Sequence, residues 1–200
     1  MKRRRCLQRA AGIFLAVAVM LGLSGCRMPS YNLSGDGSPS KALAAFLDEV
    51  IEGDDVKAKD MVYNYYFSAE KPTDGDDLNS RILTCLYDSR SYELVGKAKR
   101  LDSHTARVTV NYTTFDIGKF EEAVTDEAME IVQQREYNGE VFENNNDTQP
   151  IIDRCKEEQL THPEEFYTTQ VFEIEMISCR GRWMVMMTGD FYKALSGYAV

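Results

Sequence analysis

The sequence predicts an α+β domain in which N-terminal helices pack on a curved antiparallel sheet. Apolar residues recur at helical spacing after residue 38, and the spacing changes to strict alternation after about residue 90. A long acidic segment of helical pattern then separates two predicted hairpins. With 200 residues, 44% of them hydrophobic, the chain is long enough for one ordinary domain with a buried core.

The first 25 residues are basic at their start and apolar afterwards. Residues 2–9 hold five basic side chains, and residues 10–23 are apolar, a length typical of a secretory signal and short for a bilayer-spanning helix. Gly25 then precedes Cys26, whose thiol is the kind of group that lipid-modifying enzymes acylate. The pattern therefore predicts a lipoprotein signal peptide over residues 1–25, cleaved between Gly25 and Cys26, with lipid such as palmitate on Cys26.

Cleavage there predicts a mature protein held by lipid at the extracytoplasmic face of the cell membrane. Residues 26–37 are rich in Gly, Ser, Asn and Pro and are expected to form a flexible tether. The mature chain keeps 18 of the 23 basic residues and all 32 acidic residues, so its net charge is −14. Such a chain is repelled by phosphate, which excludes nucleic acid as a partner and leaves membrane attachment to the acyl chains on Cys26.

Residues 38–200 are predicted to form the single domain, which begins with three helices. Ser38 and Pro39 are a typical N-cap and first helical residue, and Gly53 is a typical stop. The second helix is expected to begin at residues 54–55, and the third to cover residues 76–89. The apolar faces are expected to be Leu43, Phe46, Leu47, Val50 and Ile51, then Ala58, Val62, Tyr65 and Tyr66, then Leu78, Ile82, Cys85 and Leu86.

Two antiparallel hairpins follow from the alternating segments. Residues 92–98 and 106–112 alternate between apolar and polar, which predicts a hairpin with one solvated face. The second hairpin is expected to turn at residues 180–181 and to return as an apolar strand over residues 183–187, before a short helix capped by Asp190. The core is predicted to include Leu43, Phe46, Leu47, Val108, Val110, Phe172, Ile174 and Trp183.

The insertion between the hairpins, residues 117–165, holds most of the charge. It contains 14 acidic and 4 basic residues, a net charge of −10, and its two apolar helical stripes are narrow. Residues 143–147 are expected to be a polar linker between those stripes. The insertion is expected either to be a solvated flap or to be a contact surface for a cationic or metal-bridged partner, and a short loop in place of residues 119–164 is expected to leave the fold standing.

The element order resembles the nuclear transport factor 2-like cone fold, to which the ketosteroid isomerase-like domains belong. The resemblance rests on Ala-Leu-Ala-Ala-Phe-Leu at residues 42–47, Ile-Glu-Gly-Asp at residues 51–54 and Gly-Arg-Trp-Met-Val at residues 181–185. The resemblance covers residues 38–116 and 166–197. The C-terminal part of the chain is similar to the corresponding part of small bacterial lipoproteins of this fold. The resemblance implies a cone interior able to hold a small ligand, isomerase or dehydratase activity in some members, and dimerisation through the open face of the sheet.

Few residues point to chemistry. No Cys-x-x-Cys, His-Glu-x-x-His, Walker or Gly-x-Ser-x-Gly pattern occurs, so no metal or cofactor is expected. His104 and His162 fall in predicted loops and are expected to be exposed. The odd number of cysteines in the domain, Cys85, Cys155 and Cys179, leaves open one disulfide plus a thiol or three buried thiols.

Aromatic residues supply the candidate ligand pocket. Tyr63, Tyr66 and Trp183 would line a cone interior, although aromatic residues at helical spacing usually belong to a core. Asp60 and Asp116 lie beside apolar segments and are either buried acids of raised pKa or surface helix caps.

The leading hypothesis is a non-catalytic binding module for a cationic protein or a small molecule. The alternatives are a small isomerase or dehydratase and an assembly factor that forms a homodimer.

Overall fold

An antiparallel sheet organises the part of the chain that the computed structural model describes, residues 37–64, 75, 77–142 and 144–198. Its four strands lie in sequence order, and the sheet is not closed. The α+β prediction is therefore confirmed, whereas the predicted signal peptide, Gly25, Cys26 and most of the tether lie outside the described residues. No helix within the described ranges is both long and apolar enough to cross a membrane. The strands are β1 Ser91–Arg100, β2 Thr105–Phe115, β3 Tyr167–Cys179 and β4 Arg182–Val185.

The two predicted hairpins join into one sheet. β2 pairs with β3 along its whole length, from Thr105 opposite Ile177 to Phe115 opposite Tyr167, although the insertion separates them in sequence. The insertion therefore connects two neighbouring strands at one end of the sheet. β4 is shorter than predicted, because it ends at Val185.

The helices begin and end close to their predicted residues, with two exceptions described below. In the first helix the Ser38 hydroxyl accepts a hydrogen bond from the Lys41 backbone N–H (3.4 Å), and Gly53 adopts a left-handed φ of 78° at the C-cap, which favours glycine. The helices are α1 Pro39–Glu52, α2 Asp55–Asp60, α3 Leu78–Ser89, α4 Ile117–Tyr137, α5 Asn145–Gln159 and α6 Gly189–Leu195, with a 3-10 turn at Pro163–Phe166.

Two helix predictions were wrong. The second helix was expected to continue to Tyr66, but it ends at Asp60 because Val62 forms a parallel bridge with Val185 at the edge of β4. Tyr65 and Tyr66 lie outside the described residues. α6 is capped by the Thr188 hydroxyl, which accepts from the Phe191 N–H (3.3 Å), rather than by Asp190.

The first core lies between the inner face of the sheet and helices α1, α2 and α6. Phe172 and Trp183, both predicted in the core, are only partly buried against it. The buried residues of this core are Leu43, Phe46, Leu47, Val50, Ala58, Val62, Ala106, Val108, Val110, Tyr112, Ile174, Met176, Val185, Met187, Phe191, Ala194 and Leu195.

The insertion builds a second core with α3 and one end of β2. The rings of Phe115, Phe120 and Phe166 pack against one another with centroids 5.3–5.8 Å apart. Replacing the insertion with a short loop would uncover Leu86 and Phe115, so it is part of the packed domain and not a removable flap. The buried residues of the second core are Leu86, Phe115, Phe120, Val124, Ala128, Ile151, Cys155, Leu160 and Phe166.

The predicted polar linker at residues 143–147 is in part the start of α5. The Asn144 side chain accepts from the Asn146 N–H (2.9 Å), and the Asp147 carboxylate accepts from the Asn144 N–H (3.2 Å). The Asn144 side chain also accepts from the Asp147 N–H, and this bond and the one from the Asn144 N–H to the Asp147 carboxylate form a capping box, which satisfies backbone donors that have no partner inside the helix. Asn144 and Asp147 are therefore a helix start signal, and the linker prediction is wrong for residues 145–147.

Candidate functional site

The aromatic residues predicted to line a pocket lie at the margin of the first core. Tyr63 exposes 51% of its surface, while Trp183 is half-buried with the Arg100 guanidinium 5.3 Å from its ring centroid. Within the described ranges no ring contact joins Tyr63 to Trp183, and Tyr66 lies outside them. A pocket lined by these three residues therefore stays a prediction.

The two candidate acids differ in burial but neither faces a reactive partner. Asp60 is exposed at the end of α2. Asp116 is buried and acts as the N-cap of α4, because its carboxylate accepts from the Lys119 N–H (3.2 Å) and lies 3.5 Å from the Thr168 hydroxyl. The cap interpretation of Asp116 is therefore the one that the geometry supports.

The histidines and cysteines show no catalytic or metal-binding arrangement. His104 and His162 are exposed in loops, as predicted. Cys85, Cys155 and Cys179 are free thiols, and burial raises the pKa of Cys85 and Cys155, which lowers their reactivity. Across the described part of the chain, no group of three or more His, Cys, Asp or Glu side chains is placed to hold a metal ion.

Sequence patterns gave no indication of a buried arginine at the junction of α1, α6 and β1. Arg90 is 6% exposed, and its guanidinium donates to the carbonyls of Val50 (3.2 Å) and Leu195 (2.8 Å) while lying 3.9 Å from the Tyr87 ring centroid. These carbonyls belong to the last turns of α1 and α6, where helices lack internal donors and carry partial negative charge. Arg90 therefore joins two helix ends, which is a structural role.

Three buried polar atoms, two of them at or near this junction, have no hydrogen-bond partner among the described residues. They are Arg90 Nε, Tyr112 Oη and Thr114 Oγ1. Burial raises the pKa of Tyr112 to about 12, although the nearby positive charge of Arg90 acts in the opposite direction. The junction thus offers proton donors, and the described part of the chain shows no carboxylate paired with Arg90.

The insertion presents a different kind of surface. One face of α4 is buried through Phe120, Val124 and Ala128, which recur every fourth residue. The opposite face must therefore point to solvent. We call it the α4 outer stripe, and its members, all exposed, are Glu122, Asp126, Met129, Gln133 and Tyr137.

Large apolar side chains interrupt the acidic surface of this stripe. Met129 is 54% exposed and Tyr137 is 88% exposed, and Val141, just beyond the end of α4, is 76% exposed. Exposed acids surround them, including Glu130 and Glu136. Acidic groups around exposed apolar anchors are typical of a surface that contacts another protein.

Comparisons of the chain with protein-family models, with curated proteins and with solved structures give no match. Function therefore has to be inferred from the geometry of these surfaces. The α4 outer stripe combines exposure, charge and apolar anchors on a helix whose inner face is fixed in a core.

Proposed function

We propose that the protein is a non-catalytic binding module whose α4 outer stripe contacts a cationic protein. One observation carries the proposal: α4 buries one face in the second core and exposes acids together with Met129 and Tyr137 on the other. The helix is thus held rigidly by its inner face, so little conformational entropy is lost when its outer face binds.

The charge of the insertion selects the partner. A net charge of −10 in one segment creates a negative potential over its exposed acids, which attracts cationic protein surfaces. Two ion pairs of the insertion are exposed: Arg135 near the end of α4 with Glu140 beyond it (3.5 Å), and Arg154 with Glu158 on α5 (3.9 Å). Exposed pairs contribute little to stability, and four basic residues cannot balance fourteen acidic ones.

The apolar side chains supply affinity that charge alone does not. Tyrosine is enriched among the residues that dominate binding energy, because it buries a large rigid surface and keeps a polar tip. Tyr137 and Met129 lie two helical turns apart on the same face. A cationic partner with an apolar ridge would therefore cover both anchors while its basic groups meet the surrounding acids.

The cone-like fold and the membrane location are part of the same proposal. An open four-stranded sheet with α1 and α6 on its inner face is consistent with a cone-like fold. The signal pattern ending at Cys26 supports a lipid anchor at the extracytoplasmic side, with the domain held off the membrane by residues 26–37. The partner would then be an extracytoplasmic or membrane-associated protein.

Site-specific photo-crosslinking tests the proposal in the full chain in host membranes. A photoreactive phenylalanine analogue at Tyr137 should give one discrete adduct with a basic protein, whereas the same analogue at Val171, 68% exposed on the sheet, should not. The adduct should weaken with salt, because the Debye length falls from about 10 Å at 0.1 M to about 3 Å at 1 M.

A matched charge change provides the control. Glu122→Gln with Asp126→Gln should abolish the adduct at position 137, whereas Glu93→Gln with Glu173→Gln, two exposed acids on β1 and β3, should leave it unchanged. Adducts at position 171 alone, or an adduct at 137 that both double variants form equally, would contradict the proposal. Turnover of an isomerase or dehydratase substrate would contradict its non-catalytic part.

A further inference from the structure

A cleft of about 160 Å³ lies between α4 and the first half of α5. Ile131 and Arg135 line it from α4. The remaining lining residues come from α5 and are Asp147, Pro150, Ile151 and Arg154. The cleft lies on the insertion but includes no member of the α4 outer stripe.

Its lining separates into a cationic part and an apolar part. Arg135 and Arg154 are two of only four basic residues in the insertion, so half of its positive charge borders one small cleft. Ile131, Pro150 and Ile151 supply the apolar side, and Ile151 is buried in the second core. This combination suits a ligand with a negative end and a short hydrocarbon chain.

The arginines keep donors for such a ligand. Arg135 Nη1 lies 3.5 Å from Glu140 Oε1 and Arg154 Nε lies 3.9 Å from Glu158 Oε2, both long and exposed contacts. A guanidinium has five N–H groups in a fork that matches a carboxylate. The one acid in the lining, Asp147, is held by the capping box, where its carboxylate accepts the Asn144 N–H.

We propose that this cleft binds the carboxylate of a short aliphatic acid, with Arg135 and Arg154 contacting the carboxylate and Ile131, Pro150 and Ile151 contacting the chain. A protein cavity of about 150 Å³ holds benzene, so the cleft has room for roughly six heavy atoms. The same chemistry is present in a free short-chain acid and in the C-terminal residue of a peptide ending in an aliphatic side chain. The site does not depend on the partner proposed for the α4 outer stripe.

Methyl NMR of the full chain in a nonionic detergent tests the site. With isoleucine δ1-methyl labels, sodium butanoate should shift the Ile131 and Ile151 signals saturably and leave Ile174, in the first core, unchanged. Arg135→Gln and Arg154→Gln should each weaken binding about tenfold, because a hydrogen bond to a charged group is lost. Arg107→Gln, which removes the same charge from the sheet, should leave the affinity unchanged.

Two ligand comparisons identify the group and its source. Butanamide, which has the same shape without the charge, should bind at least tenfold more weakly than butanoate to the unchanged protein. A peptide ending in leucine with a free carboxylate that binds more tightly than butanoate would assign the cleft to a chain terminus, and weaker binding would assign it to the free acid. The proposal is overturned if butanoate shows no saturation by about 100 mM, a hundredfold above a millimolar dissociation constant. Equal binding of butanamide, or unchanged affinity in both arginine variants, overturns it too.

Discussion

The first core and the second core of this domain are built in different ways. The first is formed by regular alternation on β2 and helical spacing on α1, so each segment brings a full apolar face. The second collects a few apolar residues from each of α3, the end of β2, α4, α5 and the 3-10 turn. Several helices with narrow apolar faces can therefore form a core when those faces pack together. The acidic insertion is an example, because it is part of the packed domain although its apolar faces are narrow.

The two regions also differ in where they keep their polar groups. In or beside the first core, Arg90, Tyr112 and Thr114 are buried, and Arg90 contacts two helix ends. Beside the second core, Asp116 is buried as the N-cap of α4, whereas most other acids of α4 and α5 are exposed. The buried guanidinium of Arg90 joins two helices of the first core, whereas the exposed acids around the second core can contact a partner protein.

The largest expected effect tests whether the two cores unfold together. Phe46→Ala in the first core and Phe120→Ala in the second each remove a buried ring and should lower the free energy of unfolding by about 3–5 kcal/mol. We expect one transition in each variant, measured by thermal melts at far-UV and near-UV wavelengths. An early transition confined to Phe120→Ala, with hydrogen exchange faster only in α4 and α5, would show that the cores are independent.

A smaller loss of stability is expected at high pH, and it comes from Tyr112 in the first core. Burial raises the pKa of Tyr112 from about 10 to about 12, so the neutral ring stabilises the folded state below pH 10 and that contribution is lost as the pH rises through 12. The loss amounts to about 2 kcal/mol at pH 12. Tyr112→Phe should therefore lose less stability than the parent in denaturant titrations between pH 9 and pH 12.

The same variant has a defined expectation at neutral pH. Tyr112 Oη has no hydrogen-bond partner among the described residues, so removing it should leave stability unchanged or slightly higher at pH 7. Burial and the hydrogen bond to Asp48 also raise the pKa of Tyr92, so its contribution is lost above pH 10 in the parent and in the variant alike. A loss of more than about 1 kcal/mol at pH 7 would mean that the hydroxyl has a partner.

Gly197 tests the connection between the regions. Its carbonyl accepts from the Ile117 N–H (2.7 Å), its φ is +85°, and an added Cβ would lie 2.7 Å from Leu86 Cδ1. Gly197→Ala should cost about 2 kcal/mol from backbone strain and crowding. Gly139→Ala is the matched control, since Gly139 has a φ of +91° and open space around it, and chemical denaturation of both variants separates crowding from strain. If both variants lose the same free energy of unfolding, Leu86 moves aside and crowding contributes nothing.

The smallest effect concerns the capping box of α5. Asn144→Ala removes the side chain that accepts from the Asn146 N–H and should cost about 1 kcal/mol. Asn146→Ala, at an exposed position in the first turn, is expected to cost less. A loss near zero for Asn144→Ala in urea titrations would mean that α5 is held by the second core alone.

Sequence patterns predicted the helices and strands more accurately than the contacts between them. Ser38 and Gly53 marked the ends of α1 because capping depends on neighbouring residues only. The end of α2 was missed because Val62 is held by a strand more than a hundred residues away. The helical spacing of the apolar residues in the insertion is enough to predict the helix that carries the α4 outer stripe. Residue type alone links Tyr63 with Trp183, and it carries no information on the distance between the two side chains.

Local spacing and composition are enough to predict the α+β class, the caps of α1, the alternating strands and the concentration of acidic charge between residues 117 and 165. Contacts between residues distant in the chain make β2 and β3 neighbours, bury Phe115 at the end of β2 beneath α4 and the 3-10 turn, and place Arg90 between α1 and α6. Their free energy comes from surfaces that meet only when the whole domain has folded.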